Sequence, residues 1–230
     1  MFLWRAEVLP GVSVAFTDAG AGNLALHVGD DAASVMRRRD ELDAAAGIAP
    51  RRFQYMNQVH GNHVAMVDSA AVAPTADAMV SRTQPLAVMV ADCIPMVLVG
   101  DTGGAGPVLG VVHAGRPGLA SGVIPATVDR MRAAGAGDIR AWLGPSICGQ
   151  CYEVPAELRE DVAAAVPSAW STTGWGTPAL DLPRGAVSQL ESLGVPVEYR
   201  GPCTLETDGL YSYRRDRLSG RFAGLVWSHE

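Results

Sequence analysis

Excess positive charge is the first thing this 230-residue chain lacks: 18 basic residues against 24 acidic ones leave a formal net charge of −6. Nucleic-acid partners call for clustered Lys and Arg to neutralise phosphates, so the balance argues against them and favours a small molecule. Long apolar runs are missing too. In the most apolar stretch, VMVADCIPMVLVG at 88–100, Asp92 and Pro95 interrupt the run well short of the ~20 residues a membrane-spanning helix needs. The opening MFLWRAEVLPGVSVAF has no basic n-region, continuous apolar h-region or small-residue cleavage site. The expectation is a cytoplasmic protein with no membrane partner. Cysteine is sparse. Cys93, Cys148, Cys151 and Cys203 are too few for a disulfide scaffold in a chain this long, and read better as thiols or metal ligands. Repeats, low-complexity tracts and linker-like composition breaks are absent as well.

What is present is core material. Hydrophobic residues make up 48% and charged ones 18%, enough for one domain over 1–230. Asp30 to Ile48 reads as a capped helix, acidic at its start and closed by Gly47. Strand-like segments follow around 53–56, 64–67, 78–80, 86–90 and 96–99, several separated by Gly or Pro. GPVLGVVHAGRPGLASGVIPATVDRMRAAGAGD predicts a strand ending at His113, a glycine-rich turn, and a helix stopping near Gly135 and Gly137. IRAWLGP, VPVEYR and RFAGLVW predict strands, and VPAELREDVAAAV and ALDLPRGAVSQLESLG predict helices. The fold class expected is α+β: a single mixed α/β domain with mixed sheets flanked by helices.

Chemistry is concentrated in few residues. There are five histidines: His27, His60, His63, His113 and His229. His60 and His113 each precede a turn, and Cys93 interrupts an apolar run; singly, each could be an ordinary core residue. Together they are two nitrogens and a thiolate, a donor set suited to zinc that leaves the fourth tetrahedral position open, as in catalytic sites. His63 is a possible proton shuttle. The turn Gly115–Arg116 offers backbone N–H groups and a guanidinium to an anion, and one arginine of the run Arg214, Arg215, Arg217 and Arg221 could turn inward. Cys148-Gly-Gln-Cys151 has no second CxxC to complete a four-thiolate zinc site, and it falls in a loop rather than at a strand end opening a helix, which argues against a thioredoxin-like role.

The ordered motifs QVHG, ADCIPMVL, VVHAG, LGPSI...CYEVP and CT...YSYRRD...GRFAGLVW closely resemble the YfiH family, the laccase-domain or peptidoglycan editing factor proteins. The resemblance implies a YfiH-like fold and zinc on His60, Cys93 and His113, with Asp92 then either a partner orienting a ligand or a proton carrier. It also implies action on purine nucleosides, by phosphorolysis of adenosine, inosine, guanosine or methylthioadenosine and by deamination of adenosine. Its other implication is an amidase that removes L-serine from a peptidoglycan precursor; a third reading is a non-enzymatic zinc module. The family's common HAGWRG is HAGRPG here, so Arg116 must stand in for the arginine whose place Pro117 takes. Laccase chemistry is disfavoured by count: a multicopper enzyme needs more histidines than five, leaving copper as at most an adventitious metal at the zinc site.

Overall fold

The computed structural model describes residues 1–67, 69 and 72–229. Its frame is two stacked sheets with helices outside each. Strands β1 (Phe2–Leu9), β2 (Val12–Thr17), β5 (Leu86–Val90) and β12 (Phe222–Ser228) make a four-stranded antiparallel sheet in the order β1-β2-β12-β5. The second sheet has six strands in the order β11-β8-β6-β7-β4-β3. They are β3 (Val64–Met66), β4 (Ala78–Ser81), β6 (Ile94–Gly100), β7 (Val108–Ala114), β8 (Ile139–Leu143) and β11 (Val197–Arg200). The short β9 (Trp170–Thr172) and β10 (Pro178–Leu180) pair with each other.

Period-two alternation sorts the apolar residues into layers. Val97, Val99, Leu109 and Val111 face Val88, Val90, Phe222 and Val226 between the sheets. Met96, Leu98, Val108 and Val112 face away from them, onto helices α3 (Val123–Ala133) and α5 (Leu182–Ser192). On the opposite side, Ala87, Met89, Leu225 and Trp227 receive Leu42 and Ala46 of helix α1 (Ala32–Ala46). Strands buried on both faces read as continuous apolar runs, which is why 86–90 and 94–100 are so apolar. Each fully buried Val, Leu or Ile contributes about 1.5–3 kcal/mol of transfer free energy, so this inter-sheet layer is a main source of stability.

Helix α1 forms where expected: the Asp31 carboxylate accepts the Ser34 N–H at 2.8 Å, and Gly47 closes it at φ 80°. Two segments differ. Around 53–56 there is no strand, only an isolated bridge from Gln54 to Leu86. The single helix expected after His113 is two, α2 (Arg116–Ala120) and α3, because the chain turns at Ser121–Gly122, where Gly122 takes φ 85°. Helix α4 (Ala156–Ala165) follows the CxxC loop. No helix among the described residues is long and apolar enough to cross a membrane.

Candidate metal and active site

The chain leaves one sheet and enters the other between Val90 and Ile94. So abrupt a reversal needs a left-handed residue, and Asp92 takes φ 82°. The only other described non-glycine residue with positive φ is His60, at 61°. Both belong to one site, where strain of this kind tends to collect. The turn delivers Cys93, half-buried at the end of the inter-sheet layer. Antiparallel pairing of β6 with β7 places Pro95 opposite His113, so the thiol and the imidazole share one end of the sheet.

His60, Cys93 and His113 converge: one donor atom from each lies within 4.8 Å of the others. Cys93 Sγ is 3.9 Å from His60 Nε2, and the two imidazole rings meet edge-on with centroids 4.6 Å apart. Gly115 is pressed against all three. A Cβ there would lie 2.9 Å from His60 Cδ2, 3.0 Å from Cys93 Sγ and 3.5 Å from His113 Nε2, so only glycine lets the backbone approach the donors so closely. Gly118, a helical turn further along, permits a similar approach, with a Cβ position 2.8 Å from the Gly61 carbonyl.

The group is held by Asp77, which precedes β4 and is fully buried. Its carboxylate accepts the backbone N–H groups of His60 (2.8 Å) and Gly61 (2.6 Å) and meets His113 Nδ1 at 2.8 Å. Burial opposes ionisation of Asp77, but these hydrogen bonds and the His113 charge outweigh it and lower its pKa. An ionised carboxylate only accepts, so His113 Nδ1 carries a hydrogen toward Asp77 and Nε2 is the ring nitrogen left facing Cys93. Burial likewise pushes the Cys93 thiol up, yet His113 and hydrogen bonds to both imidazoles bring it down to about 6. His113 moves the other way: burial disfavours its cation, but Cys93 and Asp77 raise it to about 9. The pair is poised as thiolate and imidazolium, and a metal cation can take the proton's place.

Asp92 is turned away from this group. Its Oδ1 accepts the Thr204 hydroxyl at 2.6 Å, its Oδ2 the Arg214 N–H at 2.7 Å, and its carbonyl the Ile147 N–H at 2.9 Å. The buried charge is thereby satisfied, and it ties the C-terminal loop to the base of Cys93. His63 is exposed just before β3, outside the donor group; its carbonyl accepts the Asp77 and Ala78 N–H groups. Arg116 opens α2, a helix of five residues and too short for a developed dipole, so its guanidinium is the stronger anion-binding feature.

Sequence reasoning missed Asp77 and Tyr152. Burial raises the Tyr152 hydroxyl pKa, and so does the negative charge of Cys93; Arg214 and Arg116 beside it pull the other way. The Arg214 guanidinium lies 4.6 Å from the Tyr152 ring centroid. Arg221, half-buried, is within electrostatic reach of both Cys93 and Asp92. Arg116 and Arg214 thus lie beside Tyr152 and Arg221 within reach of the thiol, while Arg214 also donates to the Glu153 carbonyl at 2.8 Å and Arg221 to the Ser219 carbonyl at 2.7 Å. Arg215 is used structurally, on the Thr204 and Leu210 carbonyls at 3.0 and 2.6 Å.

Fold and site together define a two-sheet mixed α/β protein with a His-Cys-His metal-ligand group at the seam of its sheets. Residues 8–229 match the family described as multi-copper polyphenol oxidoreductase laccase. The chain is 46% identical to a purine nucleoside phosphorylase of Streptomyces griseus, across 96% of each chain. A Neisseria meningitidis protein of the DUF152 family superposes with a TM-score of 0.84 at 32% identity, covering 100% of this chain and 99% of that one. Bacillus licheniformis YfiH shares the fold, with a TM-score of 0.82 at 24% identity over 95% and 93%. The chain belongs to this laccase-like YfiH family. The multicopper description finds no second histidine cluster among the described residues. His229 bonds Ser13 Oγ at 2.8 Å, and His27 and His63 are exposed elsewhere.

Proposed function

We propose that this chain is a zinc-dependent purine nucleoside phosphorylase that also deaminates adenosine at the same site. The observation that carries the reading is the convergence of His60, Cys93 and His113, with Arg221 within electrostatic reach of Cys93 and Arg116 and Arg214 beside the neighbouring Tyr152, in a relative of an enzyme named purine nucleoside phosphorylase.

The donors fit zinc, since two imidazoles and a thiolate form a borderline-soft set with one position left for solvent or substrate. Bound there, zinc would supply Lewis acidity and a water of lowered pKa. The chain's own residues do the rest. Asp77 fixes the tautomer and orientation of His113. Arg116, Arg214 and Arg221 hold phosphate, with guanidinium forks matched to its oxygens. Phosphate then attacks ribose C1′ as the C1′–N9 bond breaks, giving ribose-1-phosphate and the purine base. Tyr152, with Arg214 against its ring, offers an aromatic face for the base. Asp92 and His63 take new roles in this reading: Asp92 positions the loop bearing Arg214, and His63 lies outside the reacting group.

A purely structural zinc at this group would need a fourth protein ligand. Cys148, Cys151 and Cys203 gather in a different cluster, and His63 is not among the converging donors. The test is to incubate the zinc-replete protein and its Cys93→Ala variant with adenosine, with and without phosphate, and separate the products. Phosphate-dependent adenine with ribose-1-phosphate, plus phosphate-independent inosine, should fall at least about 100-fold in the variant, more than loss of a ligand-orienting partner costs. No nucleoside turnover, with hydrolysis of UDP-MurNAc-L-Ser instead, would replace this reading with the amidase.

A further inference from the structure

A second group of soft donors lies in the loops beside the site. The segment after β8 carries Cys148 and Cys151, and the segment after β11 carries Cys203 and Glu206. One donor atom from each of these four lies within 4.8 Å of the others. The backbone builds the cluster from both directions. Ser146 pairs with Cys203 in a parallel bridge, and Cys148 N–H points at Cys203 Sγ at 3.4 Å. The Cys148 carbonyl accepts the N–H groups of Cys151 (3.1 Å) and Tyr152 (3.0 Å), a tight turn that brings Cys151 back beside Cys148. Likewise Thr207 N–H returns to the Cys203 carbonyl at 3.1 Å, which folds Glu206 over toward Cys148 Sγ, 4.0 Å away.

We propose that Cys148, Cys151, Cys203 and Glu206 form a second, structural zinc site, independent of the His60–Cys93–His113 group. The C-x-x-C pair plus two donors from a distant segment is the usual spacing of structural zinc. A tetrahedral zinc with bonds of about 2.3 Å sets its thiolates about 3.8 Å apart, so the group needs only a modest contraction to close. Three thiolates and a carboxylate complete the coordination, with no position left for a substrate. Cys151 is buried and Glu206 exposed, so the metal would sit at the surface with the carboxylate as its outer ligand.

The placement gives the site a purpose. The two loops it would join are those that reach Asp92, through Ile147 N–H on one side and Thr204 and Arg214 on the other. These contacts cross more than fifty residues of sequence and rest on single hydrogen bonds. A metal crosslink would fix the loop carrying Arg214 relative to Cys93.

The experiment counts metal by mass spectrometry in a His60→Ala/Cys93→Ala/His113→Ala variant, purified in reductant and loaded with zinc. One zinc per chain should remain, and adding Cys148→Ser and Cys151→Ser should remove it. Cobalt substituted into the triple variant should give intense thiolate charge-transfer absorption. Should the triple variant fail to fold, ¹¹³Cd NMR of the wild-type protein is decisive, since a three-thiolate site resonates well downfield of one with a single thiolate. Absence of a three-thiolate resonance, a zinc-free triple variant, or a Cys148–Cys151 disulfide in its place would overturn the proposal. None of these readouts depends on nucleoside turnover.

Discussion

The donor residues are legible in the sequence because their types are rare in it, five histidines and four cysteines, and because Cys93 interrupts an apolar run while His60 and His113 each precede a turn. Asp77 is not, because TADAMV contains an ordinary acidic residue whose importance depends on pairing. Only when β4 lies against β7, with Ala78 opposite Val112, does the preceding carboxylate reach the ring of His113 and the turn at His60. The arginines divide in the same way. Four of them stand together near the C-terminus, but only the fold shows that Arg215 holds the Thr204 and Leu210 carbonyls, Arg214 the Glu153 carbonyl beside the Tyr152 ring, and Arg221 the Ser219 carbonyl within electrostatic reach of Cys93. All 18 basic residues are arginine, so an anion cradle in this chain has no ammonium to use. Asp77→Asn should weaken metal binding by about 10–100-fold, as loss of a ligand-orienting carboxylate does. Competition with a chromogenic chelator measures it, and an unchanged affinity would show that His113 needs no orienting partner.

At the scale of elements, alternation and turn residues revealed most strands and helices, but not how they pair. The half-exposed β1, with Arg5 and Glu7 in it, is an edge strand and has no apolar run to announce it. The break between α2 and α3 depends on Ser121–Gly122, which resembles a weak spot in one helix until Gly122 is seen at positive φ. Close backbone crossings leave still less trace. Behind the site, the segment leaving β11 runs directly over the segment leaving β8: a Cβ on Gly201 would lie 2.4 Å from Pro145 N and 2.6 Å from the Gly144 carbonyl carbon. Backbone cannot give way as a flexible side chain can. Gly201→Ala should therefore destabilise by about 1–3 kcal/mol, the usual cost of overpacking. In a chain of this size that lowers Tm by about 2–12 °C. Gly174→Ala, with nothing near its Cβ position and no positive φ, serves as the control and should stay within about 0.5 kcal/mol of wild type. Equal melting of the two variants would mean the crossing is looser than it stands.

At the scale of the whole molecule, four layers of helix, sheet, sheet and helix are joined by contacts that are not all apolar. Helix α1 covers the four-stranded sheet with Leu42 and Ala46, yet it also buries Asp43, which is 4% exposed. The Asp43 carboxylate accepts the Phe53 N–H at 3.1 Å, and the Arg39 guanidinium lies 3.7 Å from the Tyr55 ring centroid, close enough to oppose the burial only in part. Burial dominates, and the Asp43 pKa is raised from 3.8 to about 6, despite the Phe53 hydrogen bond and the charge of Arg52. Since the folded state holds this proton more tightly than the unfolded chain, the group's contribution is fully present below pH 4 and is lost as pH rises through 6. A shift of about two units corresponds to at most about 3 kcal/mol. Asp43→Asn keeps an acceptor for Phe53 N–H without the charge. Urea unfolding at intervals from pH 4 to pH 7 should show the variant gaining stability relative to wild type as pH rises, with most of the gain between pH 4 and 6. Parallel stability curves would mean that Arg39 and Arg52 already compensate the buried carboxylate, and that the helix rests on its sheet without an electrostatic penalty.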